Sequence, residues 1–164
     1  MHNRTLLIAV LALALMSIGA ASATASTPPY RWRLLLRINE VRLAHGLHRV
    51  YLSTAVRRAA QGHSEDMAAR HYFAHTSPSG STLCSRILAA LFEPIGDWWA
   101  SETLAWGTGS NATPRAVVRE WLNSPAHRAI LLSTKYPLIG IGRAVGSYHG
   151  YTDAIFWTAD WAHR

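Results

Sequence analysis

The sequence predicts an α+β fold, because its helical segments come first and its strand-like segments come last. Apolar residues recur at helical spacing from Trp32 to Leu43, and Gly46 then provides a helix stop. The last part of the chain instead carries two β-type runs, "LIGIGRAV" (138–145) and "AIFWTADW" (154–161), joined by a Gly-containing turn at 146–150. Strands and helices do not alternate along the sequence, so a βαβ architecture is not predicted.

Hydroxyl residues mark the starts of the remaining helices. Ser53 is a good N-cap for a helix that runs to about His71, and a shorter helix is expected from about Thr82 to Leu91. Thr113-Pro114 and Ser124-Pro125 each place an N-cap hydroxyl before a proline at the first helical position. These pairs predict one helix over 114–122 and another that begins at residue 125.

Two segments carry turn chemistry instead of a periodic pattern. "HTSPSG" (75–80) is predicted to be a loop. The Gly-rich stretch "EPIGDWWASETLAWGTGSNA" (93–112) alternates poorly, so we expect a loop with one short extended piece around Glu102 to Trp106. Asn39 lies within the apolar stripe of the first helix, and a buried amide there is expected to pin a loop.

The first 25 residues have the pattern of a secretory signal peptide. Basic residues precede an apolar run over 6–18, and small residues suitable for cleavage after Ala23 or Ala25 follow. The apolar run is short for a membrane anchor, so no transmembrane span is expected after cleavage. The sequence therefore predicts a signal peptide over 1–25 and one domain over 26–164, located outside the cell or in the periplasm.

Composition limits the classes of partner and of covalent stabilisation. The net charge is +7, but the arginines are scattered and form no basic block, which argues against a specific nucleic-acid site. We expect the protein to be a monomer. Because Cys84 is the only cysteine, such a monomer cannot form an internal disulfide. Free cysteine usually behaves as a small buried hydrophobe, and we expect Cys84 to be buried.

The stretch "EWLNSPAHR" contains an acid and an imidazole separated by a helix break. Glu120 lies near the end of the helix over 114–122, and His127 lies in the first turn of the helix that begins at Pro125. The Ser-Pro joint is expected to change the direction of the chain so that Glu120 and His127 converge.

Several motifs together resemble the CAP superfamily, which is also known as the SCP/TAPS or PR-1-like family. They are, in order, "INEVRLAHGL", "AAQGHSEDMAARHYFAHTSPSGST", "SETLAWG", "VREWLNSPAHRAILL", "YPLIGIGRAV" and "FWTADW". The resemblance covers about residues 33–161, and the lack of disulfides is typical of a bacterial member. It implies a three-layer α-β-α sandwich whose central cleft is lined by His75, Glu102, Glu120 and His127.

One of these motifs departs from the family pattern. "SETLAWG" stands where relatives usually have G-E-N-I-A-x-G, so Ser101 replaces glycine and Thr103 replaces asparagine. The acid itself, Glu102, is kept. Among the other histidines, His63 is expected to be packed in the core and His71 to lie at the surface.

The four cleft residues can be interpreted in two ways, as a structural cluster or as a metal site. Their spacing alone is no ligand signature, and imidazoles and carboxylates can simply satisfy one another in a buried cluster. The resemblance favours a divalent-cation site, most plausibly zinc, with His75 and His127 as ligands and Glu102 and Glu120 bound directly or through water. We expect binding of a cation and of a ligand or partner without turnover.

Two other functions compete with this one. In a metal-dependent hydrolase acting on peptides, Glu120 or Glu102 would serve as the base, but the chain contains neither H-E-x-x-H nor G-x-S-x-G. In a lipid- or sterol-binding module, an apolar groove elsewhere on the sandwich would hold the ligand, as suggested for some relatives. The ligand class therefore stays open between a peptide, a lipid and an envelope component.

Overall fold

The described part of the chain, residues 29–163 of a computed structural model, contains five α-helices and four strands. The helices are α1 (Tyr30–Ala44), α2 (Thr54–Arg70), α3 (Leu83–Ala89), α4 (Pro114–Asn123) and α5 (Pro125–Leu131). The strands are β1 (Tyr51–Leu52), β2 (Trp99–Gly107), β3 (Leu138–Tyr148) and β4 (Tyr151–His163), and a 3-10 helix spans Gly109–Ala112. The predicted signal peptide and its cleavage positions lie outside the described residues.

The sheet separates two helical layers. Its strand order is β1-β3-β4-β2, with β1 parallel to β3 and the other neighbours antiparallel. Alternate strand residues such as Ile139 and Trp161 pack against α1, α4 and α5 in the larger core cluster. Residues on the opposite face, including Ala162 and Phe156, pack against α2 and α3. The α+β class and the three-layer sandwich are therefore confirmed.

Helix α2 lies unusually close to β3 because the facing strand positions are glycine. A Cβ atom on Gly140 would lie 2.2 Å from the carbonyl carbon of Val56, and one on Gly142 would lie 2.2 Å from the carbonyl oxygen of Ala60. The contact recurs every second strand residue and every fourth helix residue, which matches the two periodicities. It brings the side chains of α2 close to those of β4 and β2, where the candidate site lies.

The predicted helix starts are confirmed, with one difference in capping. Ser53 and Thr113 each accept a hydrogen bond from a backbone N–H three residues later, and Thr82 forms a capping box with Ser85. Ser124 stands at the N-cap position of α5, but its side chain makes no capping bond. The expected Ser124 cap is therefore wrong, although Pro125 does begin the helix.

Strand β2 corrects the prediction of a mostly irregular segment over 93–112. All nine of its residues pair with β4, from Trp99 opposite His163 to Gly107 opposite Ile155. The extended piece is thus nearly twice as long as expected. A long partner strand supplies its hydrogen bonds, and the weak alternation of polar and apolar residues in this segment does not reveal that partner. The turn between β3 and β4 is also tighter than expected, with only His149 and Gly150 between the strands.

Two predictions about single residues have opposite outcomes. Asn39 is buried and pins the loop before β1, since its amide donates to the carbonyl oxygen of Val50 and accepts from the Val50 N–H. Cys84 is exposed, so the expectation of a buried thiol is wrong. Helix α3 is short, and Ile87 is its only buried residue, so Cys84 in its first turn stays exposed.

Candidate functional site

His75 and Glu102 are in direct contact. His75 lies in the loop after α2, and its Nδ1–H donates a hydrogen bond of 2.7 Å to Oε1 of Glu102 on β2. The His75 side chain is 60% exposed whereas the Glu102 side chain is 2% exposed, so a buried carboxylate holds a surface imidazole. With Nδ1 occupied, Nε2 of His75 is free to bind a ligand.

A buried arginine orients Glu102 and the loop together. Arg86 on α3 donates from NH2 to Oε2 of Glu102 at 2.7 Å. Its NH1 group donates to the carbonyl oxygens of His75 and Ser81, which lie at the two ends of the loop. The Arg86 side chain is only 9% exposed. One guanidinium therefore fixes both the carboxylate and the segment that carries His75.

His63 on α2 supports the same loop from the protein interior. Its side chain is fully buried, and its Nε2–H donates to the carbonyl oxygen of Ala74 at 3.0 Å. Burial lowers the pKa of His63, despite the charge of Glu102 3.8 Å away, so the ring is neutral near pH 7. The prediction of a packed histidine is confirmed, and its contact with the His75 loop is an additional finding.

Asp160 is a second buried acid beside Glu102. The two residues are directly opposite in the β2–β4 register, and both face the α2 layer. Burial raises the pKa of Asp160 well above its usual range, and the charge of Glu102 raises it further. Neither carboxyl oxygen of Asp160 has a hydrogen-bond partner within residues 29–163. Of the two acids, Asp160 thus holds its proton more strongly, and Glu102 ionises first.

The pKa values of the His75–Glu102 pair favour the charged forms. The hydrogen bond to Glu102 raises the pKa of His75 above its ordinary value of 6.5, although partial burial opposes this. Burial alone would raise the pKa of Glu102, but the hydrogen bond from His75 and the charge of Arg86 hold it below its ordinary value of 4.5. Glu102 is therefore ionised over the whole physiological pH range.

This pair predicts a pH-dependent effect of His75→Ala in metal-free protein. Because the native state binds the His75 proton more tightly than the unfolded chain does, its stabilisation is complete below pH 6.5 and is lost as pH rises through the raised pKa. The substitution should thus cost more stability near pH 5.5 than near pH 8.5, by about 1 kcal/mol or less for so exposed a group. Urea unfolding at both pH values measures the difference, and an equal cost at both would contradict it.

His127 lies within electrostatic reach of His75. It is half-buried in the first turn of α5, and burial lowers its pKa, with the charge of His75 lowering it further. Its Nδ1 atom is buried without a hydrogen-bond partner in the described part of the chain. The charge of His75 therefore reaches His127 although α5 and the His75 loop belong to opposite layers, and β2, between them, is an edge strand of the sheet.

Glu120 does not join this cluster through any direct contact. Its residue is exposed on α4, and its carboxylate makes no hydrogen bond or ion pair within residues 29–163. Partial burial raises the pKa of Glu120, and no charged neighbour contributes to that shift. The Ser-Pro joint redirects the chain as expected, and within the described residues Glu120 and His127 form no hydrogen bond or ion pair with each other.

Of the four residues expected in the cleft, the structure thus joins His75 to Glu102, sets His127 within electrostatic reach of His75, and shows no hydrogen bond or ion pair of Glu120 in the described residues. Within the described ranges, no three His, Cys, Asp or Glu side chains are gathered closely enough to hold a metal ion together. The sequence analysis missed Arg86 and Asp160. Asp160 had one usable signal, because it is an acid inside the otherwise apolar run "AIFWTADW".

Comparison with known proteins places this chain in a family. Residues 35–161 match the cysteine-rich secretory protein family, abbreviated CAP. Two curated proteins of Bacillus subtilis are similar: the uncharacterised membrane protein YlbC, 33% identical over 104 residues, and YkwD, 29% identical over 121 residues. These alignments cover 63% and 74% of this chain but only 28% and 45% of the relatives. The chain therefore spans less than half the length of the curated proteins that it matches.

Solved structures support the same assignment. An extracellular SCP-domain protein of Bacillus anthracis is 27% identical with a TM-score of 0.66, and the match covers 81% of this chain and 40% of that one. An outer surface protein of Borrelia burgdorferi shares the fold at 22% identity and a TM-score of 0.68, over 82% and 92% of the two chains. From its matching residues and its fold, the chain belongs to the cysteine-rich secretory protein (CAP) family.

Proposed function

We propose that this chain is an extracellular CAP domain that binds a divalent cation through His75 and His127, and a ligand beside it, without turnover. One observation carries the proposal: a buried carboxylate fixes His75 through Nδ1 and leaves Nε2 free within electrostatic reach of a second imidazole, His127. The location is supported by the signal-peptide pattern and by the similarity to a protein described as extracellular. Within residues 29–163, no helix is both long and apolar enough to cross a membrane.

The donor atoms suit zinc or a similar ion. Two imidazoles are typical ligands of zinc, and a histidine that donates its other N–H to a carboxylate is the usual supporting arrangement. The buried, unpartnered Nδ1 of His127 also fits, since a cation would satisfy it. Glu102 then orients His75 instead of binding the ion, and solvent or the ligand completes the coordination. When bound, zinc would supply a Lewis-acid position for an oxygen atom of that ligand.

Zinc titration by isothermal calorimetry tests the cation site. We expect His75→Ala and His127→Ala each to weaken binding by at least about tenfold, because each removes one of two protein ligands. His45→Ala is the matched control, since His45 is also exposed and also uses Nδ1 in a hydrogen bond, here with the carbonyl oxygen of Val41. Glu120→Gln should leave affinity unchanged. The proposal is refuted if neither His75→Ala nor His127→Ala changes zinc binding relative to the unsubstituted chain.

The absence of turnover in this proposal rests on the position of Glu120. A general base must come within hydrogen-bond reach of the proton that it removes. Glu120 is the expected base of a peptidase-like mechanism, but its carboxylate is exposed and contacts neither His127 nor Glu102 in the described residues. Zinc-dependent peptide hydrolysis that is lost in Glu120→Gln with the metal retained would establish the hydrolase instead.

A groove between α1 and α4 favours lipid binding as the second candidate function. The cavity has a volume of about 440 Å³, with apolar side chains between arginines on both helices. An apolar chain with an acidic head would match this lining. The groove is lined by Arg37, Glu40, Val41, Arg115, Val118, Arg119, Leu122 and Asn123. Fatty-acid binding that persists in the His75→Ala/His127→Ala double variant would assign the function to this groove.

A further inference from the structure

We propose that His71 and His149 form a second metal site, at the end of the sheet where β3 turns into β4, which takes a divalent transition-metal ion such as Cu²⁺. The two histidines are far apart in sequence, but both line one open cavity of about 440 Å³. Ser147, Tyr148 and Gly150 complete the lining. Imidazole suits copper, nickel and zinc, and copper forms the tightest complexes with a given nitrogen site.

The ring of His71 is held in an orientation that leaves one nitrogen available. His71 follows α2 directly, and its Nδ1 lies 2.8 Å from the carbonyl oxygen of Ser147. Because a carbonyl oxygen only accepts, Nδ1 carries the proton and donates it. Nε2 therefore keeps its lone pair for a metal. A backbone carbonyl behind the imidazole is a common support for a metal-binding histidine.

The ring of His149 is held by aromatic packing instead of hydrogen bonds. It stacks on Trp106 with ring centroids 5.7 Å apart and an interplanar angle of 21°. The edge of the Tyr148 ring packs against it at a centroid distance of 4.3 Å. Within the described part of the chain, neither ring nitrogen of His149 makes a hydrogen bond, and the residue is exposed. The imidazole is thus oriented while its nitrogens stay open to ligands.

Both histidines occupy backbone positions at which another residue would be less strained. Their φ angles are 54° at His71 and 47° at His149, in the left-handed region. Glycine adopts this region at no steric cost, and among the other residues Asn, Asp and His are enriched there. His149 and Gly150 form the two-residue turn between Tyr148 and Tyr151, where Asn-Gly is the favoured pair. The backbone thus permits histidine at both positions, and the shared cavity and the open ring nitrogens are what favour a common ligand.

This site is separate from the one at His75. Trp106, which supports His149, lies four residues beyond Glu102 on β2, which is about 13 Å along an extended strand. No residue that lines the cavity contacts His75, Glu102 or His127 within the described ranges. The two sites can therefore be removed independently.

Copper titration in a His75→Ala/His127→Ala background tests the proposal, so that failure of the cleft site does not affect the result. We expect one Cu²⁺ ion per chain by calorimetry and two coupled nitrogens in its electron paramagnetic resonance spectrum. His71→Asn and His149→Asn should each weaken binding by about tenfold or more. Asn suits the left-handed backbone, so both variants should unfold at or above the melting temperature of the background.

His45→Asn is the matched control. His45 follows α1 as His71 follows α2, and its Nδ1 also lies 2.8 Å from a backbone carbonyl oxygen, but it does not line this cavity. The substitution should leave Cu²⁺ affinity unchanged. The proposal is overturned if the background binds no Cu²⁺, if either Asn variant at the cavity binds as tightly as the background, or if His45→Asn removes the binding.

Discussion

Replacing Glu102 with alanine is expected to lower the free energy of unfolding by about 3–5 kcal/mol, because it leaves a buried guanidinium without its counter-ion. Arg86 is 9% exposed and donates to Glu102 at 2.7 Å. The substitution also removes the acceptor that orients His75, so zinc affinity should fall by about 10–100-fold. Urea unfolding with a chelator present, followed by calorimetry, measures the two effects separately.

The chain provides a matched control for this loss. Arg37 and Glu40 form an ion pair of the same length, 2.7 Å, on the exposed face of α1. Glu40→Ala should cost about 1 kcal/mol or less, since water screens the pair and solvates the remaining arginine. If Glu102→Ala costs no more than Glu40→Ala, the buried ion pair does not hold the site together.

Replacing Gly142 with alanine is expected to be at least as damaging, at about 3 kcal/mol or more. The new Cβ would lie 2.2 Å from the carbonyl oxygen of Ala60, and neither the helix backbone nor the strand backbone can yield cheaply. A loss of this size is a large part of the total stability of a domain. Moving α2 away from the sheet would also displace His63, so the loop that carries His75 should lose order. Thermal and urea unfolding measure the first effect.

Gly62→Ala is the opposite case, and it lies on helix α2 itself. Gly62 lies on the exposed face of α2, and a Cβ there would meet nothing within 4 Å. Alanine should stabilise the helix by about 0.5–1 kcal/mol, because it loses less backbone freedom than glycine on folding. A Gly142→Ala variant as stable as Gly62→Ala would show that α2 does not rest directly on β3.

Local signals in the sequence predicted where most of the helices begin. Hydroxyl N-caps and the two prolines mark where α2, α4 and α5 begin, and these signals act over a few residues. Strand β2 was underestimated, because its stability comes from pairing with β4, about sixty residues away in the chain. The glycines at 140 and 142 alternate on one face of β3, but only the structure shows the helix backbone that requires them.

The candidate site was predictable only in part. Motif resemblance pointed to His75, Glu102, Glu120 and His127. The structure joins the first two and sets His127 within electrostatic reach of His75, but it shows no such link for Glu120. Arg86 was missed because its contact with Glu102 joins α3 to β2 across 16 residues, which is beyond the reach of a helix or strand periodicity. The buried pairing of Asp160 with Glu102 depends on the β2–β4 register, and a shift of one residue would turn either acid to the opposite face.

Nitrogen NMR shifts of the imidazole rings during zinc titration test the central claim most directly. The account predicts that zinc shifts His75 at Nε2, while its Nδ1 keeps the proton donated to Glu102, and that one nitrogen of His127 shifts at the same zinc concentration. The rings of His45 and His63 should stay unchanged. A titration in which neither His75 nor His127 responds, or in which His75 loses its Nδ1 proton to the metal, would contradict the account.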